Sequence, residues 1–251
     1  MLTVFRYREN TFLADEENRW SVYSVCFSGD YETLLNDLRK DDVVLDLGAN
    51  IGCFSILAAR KAKFVYAVEP QVSAYSILVA NILRNRTENV LPLNVAVGDH
   101  EGTSFLDGKG LEAHLSGYGD PVSLTTIDTI AQGKVDAIKM DIEGSEMDAL
   151  SGATLSLKNA RVVLLECHGT IREVSKLLTA EGFNQARYKP GGIAKVRNAL
   201  SLDFVYDEVV GGFPGLISRL KFLRTDARTK RQTESEHFQI VIGHKPGLGR
   251  N

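Results

Sequence analysis

From Asp42 onward the chain alternates short apolar runs with segments of helical periodicity. The runs at 43–47 (VVLDL), 64–69 (FVYAVE), 90–98 (VLPLNVAVG), 135–142 (VDAIKMDI) and 161–168 (RVVLLECH) are rich in β-branched residues and nearly continuous in their apolar character. That is the pattern of strands covered on both faces by helices. Between them, SAYSILVANILRNR places Tyr75, Leu78, Val79, Ile82 and Leu83 on one helical face. TIREVSKLLTAEGF does the same with Ile171, Val174, Leu177 and Leu178, and Gly182 stands where such a helix ends. Five β/α units in series predict an α/β fold with a doubly wound, mostly parallel sheet, whose ligand sits beyond the carboxyl ends of the central strands.

The flanks are less regular. LTVFRYR and WSVYSVCF, separated by the polar ADEENR, predict a β-hairpin, and DYETLLNDLRK predicts a short helix. Residues 1–41 therefore read as an N-terminal extension of a domain spanning 42–251. Toward the other end, FNQARYKP reads as a sixth strand, PGLISRLKFL as a helix and HFQIVIGHK as a last strand, with glycine-rich and charged connections between them.

Composition narrows the class of partner. The 251 residues are 44% hydrophobic and 24% charged, enough for one large domain, and 29 basic against 32 acidic residues leave a net charge of −3. No strong overall field draws such a chain to nucleic acid or to an anionic membrane. The dense basic cluster Arg219, Lys221, Arg224, Arg228, Lys230 and Arg231 reads as a solvated face. Cys26, Cys53 and Cys167 form no CxxC pair, which suits free thiols in a reducing compartment and argues against zinc. No apolar stretch approaches about 18 residues and no basic-then-apolar leader is present, so the expectation is a cytoplasmic protein without membrane association.

The first candidate site is the turn in VVLDLGANIGCFSIL. Gly48 and Gly52 permit a sharp turn and close ligand approach. Asn50 stands where the dinucleotide fingerprint G-x-G-x-x-G requires glycine, which weakens a pyrophosphate reading. Glu69 ends the next strand, where a carboxylate accepts hydrogen bonds from ribose hydroxyls in nicotinamide and S-adenosylmethionine sites alike. The G-x-N-x-G loop after Leu-Asp suits the methionine part of S-adenosylmethionine, with Asp46 available to orient its ammonium side.

DVVLDLGANIGCFSI, AVEPQVSAYSILVANI, NVAVGDHEG, SLTTIDTI and IKMDIEGSEMDAL resemble, in this order, the successive signatures of FkbM-type S-adenosylmethionine-dependent methyltransferases. The resemblance spans roughly residues 42–168. It implies the class I methyltransferase (Rossmann-like) sheet of seven strands with an antiparallel last strand. It also implies S-adenosylmethionine as cofactor, held by Gly48, Asn50 and Gly52 in the loop and Glu69 on the ribose. The adenine pocket would lie around Ala96, Val97 and Asp99, although Asp99 in GDHEG also suits plain turn geometry.

The second candidate site is the acid cluster of IKMDIEGSEMDAL. Asp141, Glu143 and Glu146 admit three readings: a metal site, a catalytic base with its helper, or acids favoured by the start of a helix. Asp141 ends the predicted fourth strand, and Glu143 shares its side if the strand continues. Ser145 is placed to cap the next helix, which gives Glu146 a structural role in its first turn. On the fifth strand Glu166 and His168 share a face and Cys167 points away. One reading brings Asp141, Glu143, Glu166 and His168 together as a catalytic set with His168 as general base; a plainer one makes His168 a strand-end histidine hydrogen-bonded to a loop. Alternatively Asp141, Glu166 and His168 hold a divalent cation, magnesium or manganese, that lowers the pKa of a substrate hydroxyl.

The expected activity is methylation of a hydroxyl on a small molecule, sugar, glycan or secondary metabolite. The N-P-P-Y type motif of amino-directed enzymes is missing after the fourth strand, where DIEG stands. Competing readings are a cofactor-binding regulatory protein without turnover, an RNA methyltransferase and a nicotinamide dehydrogenase. The acceptor pocket is expected from residues 1–40 and 184–236, whose Tyr23, Tyr188 and Phe213 either line a pocket or simply pack.

Overall fold

The structure is a computed structural model that describes residues 2–27, 29–108, 113–188, 204–207 and 238–246. It opens with β1 (Thr3–Tyr7), β2 (Asn10–Ala14), α1 (Arg19–Phe27) and α2 (Glu32–Asp37). The units β3 (Val43–Leu47), α3 (Cys53–Ala59), β4 (Phe64–Val68), α4 (Val72–Asn85) and β5 (Val90–Leu93) follow. An insert of β6 (Ala96–Gly98), β7 (Gly102–Asp107), β8 (His114–Ser116) and β9 (Asp120–Thr126) leads to α5 (Ile127–Ala131). The chain continues through β10 (Ala137–Met140), α6 (Glu146–Ser151), α7 (Thr154–Asn159), β11 (Val162–His168), α8 (Ile171–Ala180) and β12 (Asn184–Tyr188). Two further strands, β13 (Phe204–Asp207) and β14 (Phe238–His244), complete it.

Among the described residues, seven strands form the central sheet in the order β12-β14-β11-β10-β3-β4-β5. Pairing is parallel from β11 to β5, and β14 runs antiparallel to both of its neighbours. The apolar runs are continuous because the sheet divides two cores. Val44, Val65, Ala137, Val162 and Ile240 face one, with α1, α3 and α4. Leu45, Ile138, Met140, Val163 and Val241 face the other, with α5 to α8. Strand order reverses between β3 and β10, so the turns that follow these two strands flank the switch point where open α/β sheets place their ligands.

Three expectations change. Residues 20–27 form α1, not a strand, and the hairpin partner of β1 is β2. Val22, Val25 and Cys26 carry helical spacing beneath their β-type composition, and burying them in the shared core overrides propensity. On α4, Leu83 is 73% exposed, while Asn81 and Asn85 are buried. Asn81 accepts from the Leu13 amide (2.6 Å) and donates to the Leu13 (2.9 Å) and Ile51 (2.8 Å) carbonyls; Asn85 accepts from Thr11 (2.8 Å) and donates back to its carbonyl (2.7 Å). These amides stand in for a neighbouring strand along the edge of β2.

The 90–98 run breaks at Asn94, whose amide donates to the carbonyls of Glu69 and Pro70, both at 2.9 Å. Its second half, β6, joins a separate sheet of order β6-β9-β7-β8 that the apolar pattern did not announce. Tyr23 packs on Phe5 and Trp20, with ring centroids 5.8 and 5.5 Å away. Phe213, the side chain of Tyr188, the 214–223 segment and the basic cluster lie outside the described residues. No described helix is long and apolar enough to cross a membrane.

Candidate active site

A cavity of about 150 Å³ opens at the carboxyl ends of β3, β4, β5 and β10, lined in part by Gly48, Asn50, Glu69, Val97 and Asp141. Gly48 has φ +73°, and a Cβ there would run into the Asp141 carbonyl. Glycine is therefore required first by the contact between the β3 and β10 turns, and only then by any ligand. Gly52, at φ +87°, sits at the start of α3 behind the lining, where a Cβ would overlap Leu78.

Asn50 between them holds φ +49°, a left-handed conformation uncommon outside glycine. Its backbone amide donates to Glu69 Oε2 (2.8 Å), and its side-chain amide donates to Asn18 (2.9 Å). Glu69 Oε1 accepts from the Gln71 amide at 2.8 Å. Burial nevertheless lifts the Glu69 carboxyl to about 7, against these backbone hydrogen bonds.

Asp46 does not reach the cavity. It is fully buried, accepts from the Ser55 hydroxyl and pairs with Lys139 Nζ at 3.1 Å, so it cannot meet a ligand's ammonium directly. Lys139, its cross-strand partner in register, does line the cavity and donates to the Gly48 carbonyl at 2.7 Å. Burial works against that charge, but Asp46 and Asp141 outweigh it and raise the lysine's pKa. A lysine inside the apolar run AIKM was the available signal for this residue. Ala96 and Val97 line the cavity beside Val95, whereas Asp99 is exposed, lies 2.6 Å from His100 Nδ1 and does not line it. Asp99 therefore keeps the turn role.

At the acidic end, β10 stops at Met140 and does not run on in extended form. Glu143 has φ +50° and Gly144 φ +96°, and this tight turn, not strand alternation, carries Glu143 to His168 Nε2 at 3.3 Å. Asp141, Glu143 and His168 each present one ligand-capable atom within 4.8 Å of the others. Glu143 thus takes the place in the cation set expected of Glu166. Glu166 turns to Tyr31, whose hydroxyl lies 2.8 Å from Glu166 Oε2 and 3.1 Å from Asp141 Oδ2. Burial, reinforced by the charge of Asp141, pushes the Glu166 carboxyl well above its usual range.

Ser145 makes no capping side-chain bond. Glu146 is fully buried and accepts from the Gly144 amide (2.8 Å) and the Thr170 hydroxyl (2.7 Å), with His168 Nδ1 at 3.2 Å. Burial alone would raise the Glu146 carboxyl, yet these partners hold it low. Burial would likewise lower His168, but the bond to Glu146 and the charge of Glu143 lift it to about 9. At neutral pH the imidazole keeps its proton and is not poised as a general base. Cys167 is buried in the opposite core, as its alternation in β11 implies.

The residues fit the methionine and ribose parts of S-adenosylmethionine. Asn50 Oδ1 is buried with no hydrogen-bond partner among the described residues, an acceptor suited to an ammonium group. Each Glu69 oxygen receives one backbone amide and retains a lone pair for a ribose hydroxyl.

Comparison with known proteins places the chain among methyltransferases. A hexuronic acid methyltransferase, AglP, of Haloferax volcanii is 29% identical over 157 residues, which cover 58% of this chain and 65% of that protein's length. The 31-O-demethyl-FK506 methyltransferase FkbM of Streptomyces tacrolimicus is 28% identical over 194 residues, covering 59% of this chain and 74% of its own. A shorter likeness, 43% over 57 residues, links 22% of the chain to 23% of a tRNA(Phe) (4-demethylwyosine(37)-C(7)) aminocarboxypropyltransferase of Methanocaldococcus jannaschii. The sequence profile of the methyltransferase FkbM domain matches residues 46–189, more than half of the molecule, and the chain belongs to that methyltransferase family.

Proposed function

We propose that the protein is an S-adenosylmethionine-dependent O-methyltransferase whose acceptor is a hydroxyl of a sugar, glycan or secondary metabolite. The observation that carries this reading is the convergence of Asp141, Glu143 and His168 at the turn that also touches the cofactor loop through Gly48. The two relatives matched over more than half of this chain, a hexuronic acid methyltransferase and an FK506 methyltransferase, favour hydroxylated acceptors.

When bound, S-adenosylmethionine supplies a methyl group on a sulfonium. Glu69 takes the ribose hydroxyls, and Asn50 Oδ1 takes the ammonium. The acceptor hydroxyl would lie against Asp141, which would take its proton as the oxygen displaces the methyl carbon from sulfur, the S–C bond breaking to leave the neutral thioether S-adenosylhomocysteine. His168, protonated between Glu143 and Glu146, uses one ring N–H on each and so holds the Glu143 carboxylate beside Asp141 at the acceptor's side. The same triplet, with the imidazole deprotonated, offers the oxygen and nitrogen ligands that suit magnesium or manganese.

The test is transfer of labelled methyl to a panel of uronic acids, glycans, macrolide-type alcohols and transfer RNA. It is run with chelator-treated protein and again with added magnesium or manganese. Asp141→Ala and His168→Ala are expected to bind S-adenosylhomocysteine within about threefold of the parent while losing at least about 100-fold in turnover. Transfer to RNA alone, or variants that lose affinity and turnover together, would overturn the assignment.

A further inference from the structure

We infer that Tyr31 is a positioning residue for the transfer, through which the N-terminal segment fixes the carboxylate of Asp141. The inference rests on the O-methyltransferase reading for its kinetic consequence, but its structural content stands apart from it. Tyr31 directly precedes α2, and its ring is 1% exposed, with the Phe54 ring 5.8 Å away and the Lys139 ammonium 5.6 Å from its centroid. Buried this fully, the hydroxyl requires a partner, and it finds two: Asp141 Oδ2 at 3.1 Å and Glu166 Oε2 at 2.8 Å.

One carboxyl group, that of Glu166, stands on β11, and the other belongs to the residue that directly follows the neighbouring parallel strand β10. Met140 pairs with Leu165 in register, so Asp141 and Glu166 follow as the next positions side by side. Without a group between them, two acids so placed would repel and turn apart. The phenol occupies that position and holds one oxygen of Asp141, which fixes the plane of the carboxylate. The Asp141 turn is pinned on its other side by the hydrogen bond that its backbone N–H donates to the Leu47 carbonyl at 3.0 Å.

The same N-terminal segment reaches the cofactor loop. Asn18, fully buried, accepts from the Asn50 side chain at 2.9 Å, and Ser21, Ser24 and Val25 of α1 contribute to the cavity wall. Residues 18–31 therefore touch both halves of the site, one through Asn18 and the other through Tyr31.

The test compares Tyr31→Phe and Tyr31→Leu with the parent. Tyr31→Phe keeps the ring and removes one oxygen; it is expected to lower kcat about 100-fold, as misplacement of a reacting group does, with KM for S-adenosylmethionine within twofold. A crystal structure of Tyr31→Phe is expected to show the Asp141 carboxylate rotated from its parent orientation. Tyr31→Leu also removes the ring and is expected to lower the unfolding midpoint well below that of Tyr31→Phe, which separates packing from positioning. An unrotated Asp141, or an unchanged kcat, overturns the inference, as does a loss of kcat matched by an equal loss of cofactor affinity. If the parent protein transfers no methyl group, the O-methyltransferase reading fails and the orientation of Asp141 alone decides for or against Tyr31.

Discussion

His168 Nδ1 lies 3.2 Å from Oε1 of Glu146, a carboxylate with no solvent exposure. The ring's pKa of about 9 in the folded protein lies above its ordinary 6.5. Folding therefore gains from the protonated ring; the gain is full below about 6.5 and lost as pH rises through 9. The unfolding midpoint is expected to fall across this window, by the equivalent of roughly 3 kcal/mol, and Glu146→Gln is expected to flatten the slope. Thermal denaturation at successive pH values checks it; a midpoint independent of pH from 6.5 to 9 would contradict the pairing.

Glu69 carries the same sign in a lower pH window, for a different reason: burial disfavours its charge. Its carboxyl is raised from 4.5 to about 7, so the folded state binds the proton more tightly and this group's contribution to stability falls as pH climbs between those values. Cofactor binding should run the other way, since the ionised carboxylate accepts from both ribose hydroxyls. Affinity for S-adenosylhomocysteine, read by calorimetry, is expected to strengthen as pH rises through about 7, and Glu69→Gln to remove most of that dependence. A pH-independent affinity in the parent would sink the ribose assignment.

Gly48→Ala is expected to be severe. The residue holds φ +73°, and the added methyl would meet the Asp141 carbonyl, a backbone atom that cannot swing aside. The left-handed strain alone costs about 1–3 kcal/mol, and relief of the overlap must separate the β3 and β10 turns. Loss of cofactor affinity together with a stability loss of at least about 3 kcal/mol is the predicted outcome in urea denaturation and calorimetry. A stable variant with parental affinity would show that the two turns are not in contact.

Asn81→Ala removes the side chain that serves Leu13 and Ile51. Buried backbone groups left without partners cost about 1–3 kcal/mol each, so a net loss of about 3 kcal/mol is expected. Exchange of the Leu13 amide with deuterium should accelerate more than exchange at the centre of the sheet. Parental protection at Leu13 would argue that the hairpin does not depend on α4.

Much of the sheet was legible because strands buried on both faces must be apolar at every position, as in Ala137–Met140, with Lys139 as the exception. The turn after β3 was legible because Gly48, Asn50 and Gly52 all adopt positive φ, a demand that shows in composition. What escaped depends on contacts between distant parts of the chain. Tyr31 acquires meaning only beside Asp141 and Glu166, more than 100 positions away. Helix α1 is built from residues that favour strands in isolation, and only the core against which Val22 and Val25 pack selects the helix. Glu146, read as an acid favoured by a helix start, is bound to His168 across the sheet's end, a relationship that spacing cannot reveal.

The placement of β14 has a consequence for how the site comes into being. Glu166 and His168 stand on β11, one side of which is paired with Ile240 and Phe238 of β14, about 70 positions later in the chain. During synthesis β11 is an open edge until that segment leaves the ribosome, exposed to pairing with another chain. Such long-range closure is slow relative to local helix formation. The strand that carries Glu166 and His168 is thus among the last to gain its full set of neighbours, and a chain released before Phe238 would hold the turn after β3 with β11 still open along one side.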